Sequence, residues 1–156
     1  MTADSFSRDE RPTATDIAHS SAFTPKIARS SVSEFWTVLI CDDQQTLRDA
    51  IGAVLSGAER LVVVGEAIDG PSCLLRVEQL RPDILIMDYS MPGGGPQLTR
   101  AARELHPPMH ILVFTGRDDA RVKREMLSAG ADQYILKTGR LPPRASRASP
   151  WRHLAP

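Results

Sequence analysis

The feature that most constrains this chain is a set of four short apolar runs, each ending on a residue able to carry chemistry. Val38-Leu39-Ile40-Cys41 runs into Asp42-Asp43, and Ile84-Leu85-Ile86-Met87 into Asp88. Ile111-Leu112-Val113-Phe114 runs into Thr115, and Tyr134-Ile135-Leu136 into Lys137. Continuous apolar runs of this length suit strands buried on both faces of a parallel sheet. In an open parallel α/β sheet, ligand sites lie beyond the carboxyl ends of the strands. Such a sheet brings three carboxylates, a hydroxyl and an ammonium to one rim.

The intervening segments read as helices. Leu47, Ile51, Val54 and Leu55 recur at helical spacing, which predicts an amphipathic helix over about residues 44–56. A second strand is expected over 61–66. Asp69-Gly70-Pro71 then opens a helix with proline in its first turn, carrying Leu74, Val77 and Leu80 inward until Pro82. Pro96 opens a third helix with Leu98, Ala101, Ala102 and Leu105 on its inner face, closed by Pro107-Pro108. Asp118 or Asp119 caps a fourth, with Val122, Met126 and Ala129 inward and Gly130 as its stop. The remaining strands are expected over 37–41, 83–87, 110–114 and 133–136. Strands alternating with helices imply an α/β fold, a doubly wound five-stranded parallel sheet of the flavodoxin-like class in the order 2-1-3-4-5.

The pattern covers only the middle of the chain. Residues 1–35, rich in Ser, Thr, Ala and charge, are expected to form a disordered extension. Residues 36–137 form the folded domain. Residues 138–156 hold prolines and four arginines, with no acid and no apolar stripe, so they read as an irregular basic tail in place of a fifth helix. The 19 basic and 19 acidic residues balance, giving no global pull toward nucleic acid or membrane. Cys41 and Cys73 lack metal-ligand spacing and read as buried free thiols. No segment has the length of a membrane span or the pattern of a leader, so a cytoplasmic location is expected.

The rim residues suit phosphoryl transfer. A carboxylate can attack phosphorus to give an acyl phosphate. Clustered carboxylates would repel an incoming anionic group unless a divalent cation intervened, and Mg²⁺, which takes oxygen ligands, fits that task. Asp42 and Asp43 would hold the metal, Asp88 would attack, Lys137 would offer positive charge, and Thr115 a hydroxyl. Each has a plainer reading: the acidic pair as a helix cap, Asp88 as a turn-former, Thr115 as a strand exit, Lys137 as a surface charge, and Tyr134 as a half-buried strand aromatic. The Gly93-Gly94-Gly95 triplet lacks the spacing of a phosphate loop. The joint placement favours chemistry over coincidence.

The segments 37–43, 82–94, 110–116 and 129–138 resemble the receiver domain of bacterial two-component response regulators. The likeness covers about residues 37–137. Val62-Val63 with Gly65-Glu66-Ala67 and Asp69-Gly70, and Gly130-Ala131-Asp132 before Tyr134, resemble the subgroup that is usually joined to a LuxR-type helix-turn-helix output domain. The resemblance implies that Asp88 is the phosphoacceptor, supplied by a sensor histidine kinase. It implies a Mg²⁺ site of Asp42, Asp43, Asp88 and the Ser90 backbone carbonyl, with Asp43 touching the metal directly and Asp42 largely through water. Thr115 and Lys137 match the switch hydroxyl and the lysine of the family pattern, and Tyr134 the aromatic that turns inward on activation. The domain would be a switch rather than an enzyme, promoting only its own phosphoryl transfer and dephosphorylation, and a second copy of the chain is a candidate partner.

Three rivals fit less well. A phosphohydrolase with a nucleophilic aspartate wants an acid two residues later, where Ser90 stands. A nucleotide-binding enzyme wants a glycine-rich turn after the first strand, where the chain reads Asp42-Asp43-Gln44-Gln45. A DNA-binding regulator wants a helix-turn-helix after Lys137, and none is written there, so no specific nucleic-acid binding is expected. The alternative closest to the main reading is a transcriptional regulator that lost its output domain by truncation or frameshift.

Overall fold

A computed structural model of the chain describes residues 35–137. The expectations for the two ends, apart from Phe35, lie outside the described residues. Among the described residues nine elements alternate: β1 (Trp36–Cys41), α1 (Gln45–Leu55), β2 (Leu61–Ala67), α2 (Gly70–Leu80), β3 (Ile84–Met87), α3 (Pro96–Leu105), β4 (His110–Thr115), α4 (Ala120–Ser128) and β5 (Gln133–Leu136). The sheet is wholly parallel in the order β2-β1-β3-β4-β5, as the alternation required. Each strand falls within a residue of its expected limits.

Alternate residues of the central strands feed two cores, as the two-residue strand period demands. Leu39, Cys41, Leu85, Met87, Ile111 and Val113 pack under α2, α3 and α4. Val38, Ile40, Ile84, Ile86, Leu112 and Phe114 pack on the opposite face with Ile51 and Leu55 of α1. Among the described residues, α1 is the only helix that contributes to this second core.

The helix limits follow local chemistry. The Asp69 carboxylate accepts from the Ser72 amide at 2.8 Å, and the Ser72 hydroxyl receives the Asp69 amide, closing a capping box at the start of α2. Asp119, not Asp118, caps α4, accepting from the Arg121 amide at 2.8 Å. The left-handed Gly130 follows the end of α4.

Two helix faces differ from expectation. In α2 the fully buried positions are Gly70, Cys73 and Val77, while Leu80 lies at the sheet edge, 36% exposed with its methyl over Gly65 of β2. In α3, Thr99 is buried beside Leu98 and Ala102. Its hydroxyl satisfies itself on the Gly95 carbonyl at 3.1 Å, one turn back, so burial costs no unpaired group. Both cysteines are buried free thiols, as expected, and their sulfurs meet at 2.9 Å. Burial pushes the Cys41 thiol well above its ordinary pKa.

In β2, Val64 is the extra residue of a bulge, since Val63 pairs with Val38 and Gly65 with Leu39 of β1. No helix among the described residues is long and apolar enough to cross a membrane.

Candidate functional site

The rim residues converge because adjacent parallel strands end side by side. β1 delivers Asp42 and Asp43, and β3, paired directly to β1, delivers Asp88. The Asp88 amide extends that pairing, donating to the Cys41 carbonyl at 2.8 Å. One carboxylate oxygen from each of Asp42, Asp43 and Asp88 lies within 4.8 Å of the others. Asp42 and Asp88 are buried, while Asp43 is exposed.

Lys137 follows β5, two strands away, and its side chain reaches across the rim. Its Nζ donates to Asp42 Oδ2 at 2.7 Å and stands 3.2 Å from Asp88 Oδ1. The lysine amide donates to the Thr115 carbonyl at 2.8 Å, which fixes where this side chain starts. The stem of Lys137 also brings Nζ to 5.8 Å from the Phe114 ring centroid.

Asp42 is held at each polar group. Its amide donates to the Ala67 carbonyl at 3.1 Å, its Oδ1 accepts from the Gln44 amide at 2.9 Å, and its Oδ2 receives Lys137. The cap-like role expected of an Asp-Asp pair is therefore real for Asp42, and coexists with its place in the acidic cluster. Asp88 differs. Its Oδ1 is buried and receives no aligned hydrogen bond among the described residues, although the lysine charge is within ion-pair distance. The Lys137 charge offsets the burial of this oxygen, which is left without an aligned hydrogen-bond donor and open to a further ligand.

The loop after Asp88 is shaped by close backbone contacts. Ser90 is exposed, and its carbonyl carries no hydrogen bond among the described residues. The Gly70 amide donates to the Pro92 carbonyl at 2.8 Å, and a Cβ on Gly70 would sit 2.4 Å from the Gly93 carbonyl oxygen. A Cβ on Gly94 would lie 2.7 Å from the Tyr89 oxygen and 3.1 Å from the Asp88 oxygen. The glycine triplet thus serves a tight turn beside the cluster, its plainer reading.

Thr115 ends β4 fully buried, and its Oγ1 accepts from the Arg117 amide at a long 3.4 Å. Tyr134 on β5 is half-buried, and its hydroxyl donates to the Arg117 carbonyl at 2.7 Å. Burial raises the Tyr134 phenol above its ordinary pKa, so it remains a donor at neutral pH. The Arg117 guanidinium lies 5.4 Å from the centroid of the Tyr89 ring, next to Asp88 in sequence. Thr115 and Tyr134 therefore meet one loop, 115–117. The sequence reading passed over Arg117, which stands in no motif and is tied in by its backbone and by its guanidinium on Tyr89.

The donor set fits Mg²⁺. It is all oxygen, two of its members are buried, and Asp88 Oδ1 lacks a donor. Soft metals that prefer sulfur or imidazole find no such ligand in the cluster.

A doubly wound parallel sheet with carboxylates converging under a lysine at its carboxyl rim defines a receiver-type α/β domain. The response regulator receiver domain family matches residues 38–142, and the chain belongs to it. It is 35% identical over 101 residues to the response regulator GacA of Pseudomonas viridiflava, covering 64% of this chain and 47% of that protein. Identity reaches 37% over 102 residues with the oxygen regulatory protein NreC of Staphylococcus epidermidis, again covering 64% and 47%. The chain thus spans about half the length of these curated relatives. Among solved structures, the receiver domain of the NarL response regulator from Mycobacterium tuberculosis superposes with a TM-score of 0.64 at 32% identity, covering 67% of this chain and 86% of that one. The isolated receiver domain of RcsB from Salmonella enterica serovar Typhimurium, solved with the phosphomimetic BeF3-, gives 0.64 at 27% identity, covering 68% and 80%.

Proposed function

We propose that this receiver domain accepts a phosphoryl group on Asp88 from a sensor histidine kinase, in the cytoplasm, and that the modification switches the face around α4 and β5. The observation that carries the reading is Asp88 Oδ1, a buried carboxylate oxygen with no aligned donor, 3.2 Å from Lys137 Nζ and clustered with two further acids. A carboxylate so placed is ion-paired to Lys137 but not locked by an aligned hydrogen bond, which leaves a lone pair available for attack.

In the transfer, a lone pair of Asp88 attacks phosphorus and the bond from phosphorus to the kinase imidazole nitrogen breaks. The electron pair returns to that nitrogen, leaving an acyl phosphate on Asp88. Lys137, now shared with Asp42, would turn toward the new phosphoryl oxygens as negative charge shifts onto them. Mg²⁺ held by Asp42, Asp43, Asp88 and the Ser90 carbonyl would supply positive charge to the phosphoryl oxygens and offset carboxylate repulsion. Thr115 would donate its hydroxyl to a phosphoryl oxygen, drawing loop 115–117 with it. Tyr134, bonded to the Arg117 carbonyl, would report that displacement to β5 and α4. The domain is a switch that acts only on its own aspartate.

A second copy of the chain is a proposed partner of the switched form. Regulation of transcription is proposed here only as the process such a receiver would serve. The test is transfer from a purified, phosphorylated histidine kinase to the full chain. Label should move to wild type and not to Asp88→Asn; equal labelling of both would reject the assignment.

A further inference from the structure

Arg48 carries a full charge on α1 yet is only 5% exposed, so its burial must be matched by partners. Its guanidinium forks to three acceptors on three segments. Nε donates to Glu66 Oε2 of β2 at 2.7 Å, Nη1 to the Asp42 backbone carbonyl at 2.8 Å, and Nη2 to Gln45 Oε1. The Asp42 carbonyl belongs to the peptide bond that leads into Asp43. Asp43 itself has an exposed carboxylate with no hydrogen bond or ion pair among the described residues. Its direction is therefore set through its backbone, and Arg48 holds the carbonyl at the start of that backbone.

We infer that Arg48 is a positioning residue, whose planar fork fixes the Asp42–Asp43 peptide and so aims Asp43 into the acidic cluster. The inference rests on the reading of that cluster as a divalent-cation site. A guanidinium is suited to this because its donors lie in one fixed plane and it stays charged when buried, which an ammonium cannot reproduce. Glu66 offsets the guanidinium charge, so the cation beside the site is part of a neutral pair.

The sign of the effect separates positioning from simple charge. A nearby positive charge opposes cation binding, so its removal alone would tighten the site. Loss of an outer contact that orients a ligand weakens metal affinity by about 10-fold or more. The experiment is titration of the full chain with Mn²⁺ alone, free metal being read by electron paramagnetic resonance, with no phosphoryl donor present. Wild type, Arg48→Met, Arg48→Lys and the core variant Val77→Ala are compared. Wild type should bind, Arg48→Met should bind about 10-fold more weakly, and Val77→Ala should match wild type despite lower stability. Arg48→Lys keeps the charge but loses the fork, and should also bind several-fold more weakly; it decides the matter if Arg48→Met does not fold. Affinity unchanged or tightened in the Arg48 variants overturns the inference, as does equal weakening in Val77→Ala. Absence of binding by wild type instead overturns the cation site on which it rests.

Discussion

Lys137 Nζ donates to Asp42 Oδ2 at 2.7 Å while standing 3.2 Å from Asp88 Oδ1, so one ammonium bridges carboxylates delivered by two strands. The residues of the shorter pair are 95 positions apart in sequence, and both side chains are largely shielded from water. The lysine is at once the partner that allows two acids to be buried and the charge nearest the proposed nucleophile.

Removing that ammonium leaves Asp42 and Asp88 facing each other with Asp43 close by. Breaking a buried pair by deleting one partner costs about 3–5 kcal/mol, and the partial exposure of Lys137 places the expected loss at the lower end. Lys137→Met should therefore unfold at lower urea concentration when divalent cations are chelated, and Mg²⁺ should recover more stability for it than for wild type. Equal urea midpoints in chelator would show that the bridge contributes nothing to folding.

The acidic cluster predicts a linkage between cation and stability. A ligand that binds only the folded form stabilises it in proportion to the logarithm of its concentration over its dissociation constant. Millimolar Mg²⁺ should raise the thermal midpoint of wild type, and Asp43→Ala should abolish most of that rise. Because Asp43 is exposed and unbonded, the variant should fold normally without metal. A midpoint indifferent to Mg²⁺ in both proteins would remove the cation from the account.

Two glycines should respond to alanine with opposite signs. A Cβ on Gly70 would meet the Gly93 oxygen at 2.4 Å, and this contact ties α2 to the loop that follows Asp88. Overpacking of that kind costs about 1–3 kcal/mol and should slow phosphorylation by shifting the loop. Gly52, inside α1, has nothing within 4 Å of its Cβ position, so Gly52→Ala should stabilise by about 0.5–1 kcal/mol. Urea denaturation of both variants checks the pair, and destabilisation by Gly52→Ala would contradict it.

The Asp69 cap gives a pH dependence of known sign. Hydrogen bonds from the Ser72 side chain and then its amide hold the Asp69 carboxyl below the usual aspartate range. A folded pKa below the unfolded one contributes stability that is complete above the unfolded value, about 3.9, and is lost as pH falls through the folded value. Asp69→Asn keeps a cap but not this titration. The stability difference between wild type and Asp69→Asn should be constant near neutrality and shrink toward acid. A thermal-unfolding series in which that difference stays flat into the acid range would refute the capping account.

How far the sequence announced this structure depends on which physical constraint was at work. The strands were legible because burial on both faces forces continuous apolar runs, and once their order was set, topology alone brought Asp42, Asp43, Asp88, Thr115 and Lys137 to one rim. The helix roll was less legible. In α2 Cys73 is buried fully while Leu80 stays partly exposed over the edge strand β2, and a helical period of apolar residues does not tell centre from edge. Thr99 was missed because a polar residue that satisfies itself within its own helix can be buried without an outward sign. Arg48 was missed for a related reason: its charge is matched by a glutamate on another strand, a nearby backbone carbonyl and a glutamine one turn back in its own helix, none of which marks the position as buried in sequence. The glycine triplet signalled a turn, while its contact with Gly70 emerged only when the chain returned to bring α2 alongside.

The most direct measurement of the central claim is site mapping after incubation of the full chain with acetyl phosphate and Mg²⁺. Intact-mass analysis should show one added phosphoryl group, stable to acid and lost in base, as an acyl phosphate is. Reduction of the trapped adduct and peptide sequencing should place it at Asp88. The group should be absent from Asp88→Asn and from wild type with metal chelated. A phosphoryl group of the same stoichiometry on Asp88→Asn, or one mapped to Asp42 or Asp43 in wild type, would contradict the account.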